Sequence, residues 1–120
     1  MARAGSRSKY PWGNEFDASK ANNIKGVTVP VGSYGANNFG VHDTVGNVWE
    51  WVEDCWHDNY SGAPIDGSAW KSGGDCSLRV LRGGSWFNSP WFLRSAFRHR
   101  LDAELGYHGG GFRIARTLSR

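Results

Sequence analysis

Apolar residues come along this chain in short runs closed by glycine, proline, asparagine or aspartate. The sharpest run is Val48-Trp49-Glu50-Trp51-Val52. Side chains on a strand point to opposite faces in turn, so this run predicts a short strand with Trp49 and Trp51 on one face and Glu50 on the other. The residues before it, His42-Asp43-Thr44-Val45-Gly46-Asn47, have turn chemistry. Leu78 to Leu81 predicts a second strand that runs into Arg82-Gly83-Gly84-Ser85. Leu93 to Phe97 predicts a third, and Gly111 to Ala115 the last. Val27 to Tyr34 has strand composition, but Pro30 lacks a backbone donor and limits it to an edge or an extended segment. Residues 14–25, 55–74 and 98–110 read as loops. The second is long enough to be either functional or packed by its own side chains.

Composition sharpens this picture. The 120 residues make one domain or a piece of one. Seven Trp, six Phe and four Tyr stand beside a single Met, with seventeen Gly. Large flat rings joined by glycine turns predict an irregular, loop-rich α+β fold with short strands. Residues 1–9 are small and basic and read as a flexible end, leaving residues 10–120 as the domain. The net charge is +3, but the arginines are scattered among rings rather than gathered in a run, so no nucleic-acid partner is expected. No apolar stretch approaches the ~20 residues that span a bilayer, and no apolar segment follows Met1, so neither membrane insertion nor a signal peptide is expected. As given, the chain reads as cytoplasmic, with surface display open to it through a preceding region.

Cys55 and Cys76 flank the long loop. Two nearby reduced thiols are the favoured state, ahead of a disulfide, and the spacing is poor for a metal site. His57 reads as an exposed loop histidine. Asn47 and Glu50 could give side-chain oxygens to a hard cation such as Ca²⁺, with carbonyls of Gly46 and Val48 beside them. In the competing reading Glu50 pairs with a buried arginine and Asn47 closes the turn. Arg82, Arg94, Arg98 and Arg113 read as internal ion-pair residues. Ser85 has no base near it in sequence, so it is not read as a nucleophile.

Taken in order, several blocks form one series: Tyr10-Pro11-Trp12-Gly13, Pro30-Val31-Gly32-Ser33, Asn38-Phe39-Gly40, Gly46-Asn47-Val48-Trp49-Glu50-Trp51, Arg82-Gly83-Gly84-Ser85-Trp86 and Gly111-Phe112-Arg113. The series resembles the formylglycine-generating enzyme, or sulfatase-modifying factor, family over nearly the whole chain. The resemblance implies a C-type-lectin-like fold, of which this chain would be the C-terminal part. It also implies calcium at the Asn47, Val48 and Glu50 block together with the Asn22 region. The oxidase members carry a copper-binding cysteine pair shortly after the Gly-Gly-Ser block. Here that stretch is Trp86-Phe87-Asn88-Ser89-Pro90-Trp91-Phe92-Leu93 and has no sulfur. Cu(I) needs soft ligands, so no copper is expected, and no catalytic residue is assigned.

Within the family, segment 86–110 most resembles the variable proteins of diversity-generating retroelements, whose last segment is rewritten at template adenines. An AAC codon altered at its two adenines keeps its third base, so the residues within its reach include Phe, Ser, His, Leu, Asp, Tyr, Gly and Asn and exclude Lys, Glu, Gln, Met and Trp. Phe87, Asn88, Ser89, Phe92, Phe97, His99, Leu101, Asp102, Leu105, Tyr107 and His108 all obey that restriction, as does Gly109. With Trp86 and Trp91 they form the expected ligand-binding set, a ring-rich surface for a protein or cell-surface partner. The expected function is therefore a non-catalytic display domain. The alternatives are a fragment of a metal-dependent oxidoreductase acting on protein cysteine or a related thiol, and an accessory domain of a larger kinase or protease.

Overall fold

The computed structural model describes residues 1–116. Four strands form one sheet: β1 (Trp49–Trp56), β2 (Asp75–Arg82), β3 (His99–Asp102) and β4 (Gly110–Gly111). Their order across the sheet is β3-β2-β1-β4. β1 and β2 are antiparallel, as are β2 and β3, while β4 runs parallel to β1. One short 3-10 helix, Pro90–Leu93, is the helical share of the α+β expectation among the described residues.

The register shows which side chains share a face. Trp51 pairs with Leu81, which pairs with His99, and Arg79 pairs with Leu101. Glu50 pairs with Arg82, and Val80 with Arg100. Trp51 and Glu50 therefore lie on opposite faces, as the alternation predicts. Val80 and Leu81 are both fully buried, so the sheet is covered on both sides. A separate apolar cluster of Tyr10, Ala21, Val45 and Leu93 sits among the N-terminal loops, with Trp12 and Phe16 packed against it. The Tyr10 hydroxyl donates to the Pro90 carbonyl (2.8 Å) and the Ser95 amide to the Lys9 carbonyl (2.8 Å), so the start of the chain holds the 3-10 helix in place. Within residues 1–9, Ala4 is buried.

Several predicted elements differ from those observed. Leu93 to Phe97 is not a strand; Pro90, with its fixed φ, opens the 3-10 helix there and the strand follows at His99–Asp102. The final strand is only Gly110–Gly111, not Gly111 to Ala115. Val27 to Tyr34 forms no ladder, because Asn47 takes its hydrogen bonds instead. The Val29 amide donates to Asn47 Oδ1 (2.9 Å), and Asn47 Nδ2 donates to the Val29 carbonyl (3.2 Å). The long loop begins at His57 rather than Cys55, since β1 continues to Trp56.

Candidate functional site

The Gly83-Gly84 turn aims segment 86–110 across the sheet. Gly84 has φ +72°, and a methyl group there would lie 2.6 Å from Leu93 Cδ1. Only glycine meets both demands, and the result seats Leu93 fully buried under the turn. Asn88 locks the next step: its Oδ1 accepts from the Ser85 amide (2.9 Å) and from the Ser85 hydroxyl (2.6 Å). The Trp86 amide donates to the Asn47 carbonyl (2.9 Å), and the Trp49 amide to the Gly109 carbonyl (2.7 Å). Both ends of the segment are thus tied to the turn that begins β1.

Two groups of rings result. Trp86, Phe87, Tyr107 and His108 form the first, with Trp86 and Phe87 edge to face at 4.7 Å and Tyr107 tilted against His108 at 5.2 Å. Phe87 is also edge to face with Tyr107 at 6.4 Å and stacks on His108 at 6.1 Å. The second is a row in which Phe92 meets Phe97 edge to face at 5.1 Å, Phe97 lies 6.0 Å from Trp49, and Trp49 lies 5.2 Å from His99. Phe87, Phe92 and His108 are exposed, whereas Trp86, Phe97, His99 and Tyr107 are half-buried. Burial holds the His99 imidazole below its ordinary pKa, with Arg100 adding to the effect, and burial raises the Tyr107 phenol.

The remaining members of the expected set lie elsewhere or have other tasks. Trp91 is 61% exposed and carries the Arg94 guanidinium 3.5 Å from its ring centroid. Asp102 occupies the face of β3 opposite Leu101, and its Oδ1 accepts from the Glu104 amide (2.9 Å), so it shapes a turn. Leu105 is exposed at that same turn. Asn88 spends its side-chain oxygen on Ser85, and Ser89 is exposed before the 3-10 helix. Sequence reasoning missed Trp49, the buried centre of the second row. Its alternation with Trp51 placed it on that face, but not under the later segment.

The expected cation block is built differently from a ligand cage. Asn47 Oδ1 accepts from Asn22 Nδ2 (3.1 Å) and from the Val29 amide. Both carboxylate oxygens of Glu50 accept from Arg113, whose guanidinium also donates to the His42 (2.9 Å) and Asp43 (3.0 Å) carbonyls. That contact raises the Arg113 pKa further. These side-chain oxygens, as arranged, do not fit a cation. No cluster of three or more His, Cys, Asp or Glu suited to a metal occurs among the described residues.

Two further expectations are corrected. Cys55 and Cys76 form a disulfide, because pairing of β1 with β2 brings their Cα atoms to 4.5 Å. His57 is buried, stacked on Trp70 at 3.5 Å, with its ring nitrogens 3.0 Å from the Cys55 carbonyl and 2.9 Å from that of Ser72.

A small sheet with long loops, glycine-built turns and a ring-lined segment across it is the architecture of a C-type-lectin-like domain. The family model for a sulfatase-modifying factor enzyme 1-like domain matches residues 1–118, and the chain belongs to that family. It is 40% identical to the serine/threonine-protein kinase pkn1 of Chlamydia caviae over 111 residues, 92% of this chain and 18% of the kinase. It is 39% identical to the hercynine oxygenase of Mycobacterium tuberculosis over 103 residues, 79% of this chain and 24% of that protein. It therefore spans a quarter or less of these curated relatives. Among solved structures, PvdO from Pseudomonas aeruginosa superposes with a TM-score of 0.84 at 44% identity, covering 92% of this chain and 46% of that one. Treponema denticola variable protein 1 superposes with a TM-score of 0.74 at 27% identity, covering 92% and 41%. No helix among the described residues is long and apolar enough to cross a membrane.

Proposed function

We propose that this domain is a non-catalytic display module whose segment 86–110 binds a protein or cell-surface ligand. One observation carries the reading: the alternation of β3 separates two kinds of residue. His99 and Leu101 share the face of Trp51 and Leu81, with Phe97 packed on Trp49 beside them. Arg98 and Arg100 turn to the reverse face and lie over the Trp56 ring at 4.6 and 4.7 Å. The ring-bearing face can therefore change while the arginine face keeps the strand in place. The exposed rings of Phe87 and Phe92 supply contact area at low conformational-entropy cost. The likeness to a protein named as variable supports the same reading. Sequencing the flanking DNA tests it. A near-copy of the stretch encoding Arg82 to Arg113, differing at adenines and lying beside a reverse-transcriptase gene, is the expected finding; absence of both removes the diversification.

The likeness to a hercynine oxygenase favours a second reading, a fragment of a metal-dependent oxidoreductase. Incubation with Cu(I) and a Cys-x-Pro-x-Arg peptide tests one form of it, and a formylglycine product overturns the display reading. A calcium ion at this block would need Glu50 to leave Arg113 and Asn47 Oδ1 to leave Asn22 and Val29. A fall in melting temperature on chelation supports it, and an unchanged melt removes it.

A further inference from the structure

We infer that the Cys55 and Cys76 pair is a thiol-exchange site with a fixed direction: a glutathione-class or dithiol reductant attacks Cys76, and Cys55 departs as a thiolate held by Arg79. The two sulfurs occupy unlike surroundings. Cys55 is 1% exposed, whereas Cys76 stands in an exposed stretch that runs from Lys71 to Ser77. Arg79 Nη1 lies 3.2 Å from Cys55 Sγ and is fixed by donating to the Glu53 carbonyl at 2.6 Å. Cys76 Sγ instead lies 3.3 Å from the Lys71 carbonyl oxygen, which disfavours negative charge. Exchange is fastest when the attacked sulfur is accessible and the departing one bears charge readily. Both conditions point the same way here.

An incoming thiolate forms a bond to Cys76 Sγ as the bond to Cys55 Sγ breaks, leaving Cys55 anionic beside Arg79. A second thiol of the reductant then attacks the reductant's own sulfur in the mixed disulfide and releases Cys76. Two electrons pass to the protein, both cysteines end as thiols after proton uptake, and the reductant leaves as its disulfide.

The loop that the bond closes reaches the ring-bearing segment. Tyr60, within the loop, lies over the Arg98 guanidinium at 4.4 Å, and Trp56 lies over it at 4.6 Å. Arg98 stands between Phe97 and His99 in the chain. Cys55, Tyr60, Trp70 and Arg98 line one cavity of about 240 Å³, into which the loop can loosen. The Cys55 amide bond to the Trp70 carbonyl (3.0 Å) and the Trp70 amide bond to Asp54 (2.6 Å) survive reduction, so opening is local.

The test uses the oxidised chain in glutathione redox buffers, quenched by alkylation and read by peptide mass spectrometry. The expected first adduct is glutathione on Cys76, and Arg79→Gln slows reduction about threefold while Arg79→Lys restores the rate. Hydrogen exchange of the reduced chain rises over residues 57–69 and 97–99 with the Trp70 amide and the sheet still protected. A first adduct on Cys55, or equal rates for Arg79→Gln and the parent with both folded by circular dichroism, overturns the direction of attack. Free thiols at every buffer ratio overturn the site itself. Unchanged exchange at 97–99 overturns the link to the segment.

Discussion

Glu50 and Arg113 join the start of β1 to the far end of the chain across 63 positions. Neither is fully exposed, so desolvation and attraction nearly offset each other, and the loss on breaking the pair comes mainly from the partner left behind. Arg113 also satisfies two carbonyls, so its removal strands more groups than removal of the carboxylate. Arg113→Leu is expected to destabilise the domain by about 2 kcal/mol and Glu50→Gln by about 1 kcal/mol, after discounting for solvent screening. In a double-mutant cycle by urea denaturation the two losses should fall short of additive. His99 gives a pH dependence of known sign. Its folded pKa is depressed by burial against Trp49, so the unfolded chain binds the proton more readily. Stability is complete above the unfolded value of about 6.5 and falls as pH drops through the folded one. The melting temperature should decline from pH 7.5 to 5.5 in the parent, and His99→Asn should flatten that decline. The carboxylates whose pKa values are lowered, such as Asp17 and Asp75, act in a more acidic range and do not confuse the reading.

At the level of elements, the Gly83-Gly84 turn decides where the ring-bearing segment goes. Gly84→Ala meets both an unfavourable φ and a leucine methyl 2.6 Å away, in a place where Leu93 is fully buried. A loss of about 3 kcal/mol is expected, visible as a lowered urea midpoint, with Trp86, which meets Phe87 edge to face, more exposed to quencher. Elements defined by local alternation were legible in the sequence, and those defined by distant partners were not. Trp49 and Trp51 alternate with Glu50, and Leu78 to Leu81 is apolar, so β1 and β2 could be placed. β3 carries only His99 and Leu101 on its inner face, and its Arg100 and Asp102 give it the look of a loop. Leu93 to Phe97 is more apolar, but its residues are spent under the Gly83-Gly84 turn and on ring contacts. Val27 to Tyr34 has strand composition and no strand to pair with, since an asparagine side chain supplies its partners. The disulfide depends on the β1 and β2 register, which two cysteines twenty-one positions apart do not reveal. The candidate segment itself was legible because its rings stand out from a polar setting, whereas its division between two faces required β3.

On the scale of the whole molecule, stability and recognition draw on different residues of the same segment. Leu93, Ser85 and Ser95 are buried, and Asn88 is bound to Ser85, so these positions hold the scaffold. Phe87 and Trp91 are 46% and 61% exposed, so truncating them removes surface that the fold covers only in part. Phe87→Ala and Trp91→Ala should therefore each change stability by less than about 1 kcal/mol, while Asn88→Ala, which leaves the Ser85 donors unpaired, should cost about 2 kcal/mol. A merely structural cluster gives the opposite order, because the rings would then contribute more than the amide. Urea denaturation of the three variants distinguishes the cases without any knowledge of the ligand. If Phe87→Ala proves as costly as Asn88→Ala, the rings belong to the core, and the display reading loses its physical basis. If the order holds, the exposed rings cost the scaffold little to change, and that freedom is what a surface selected for new partners requires.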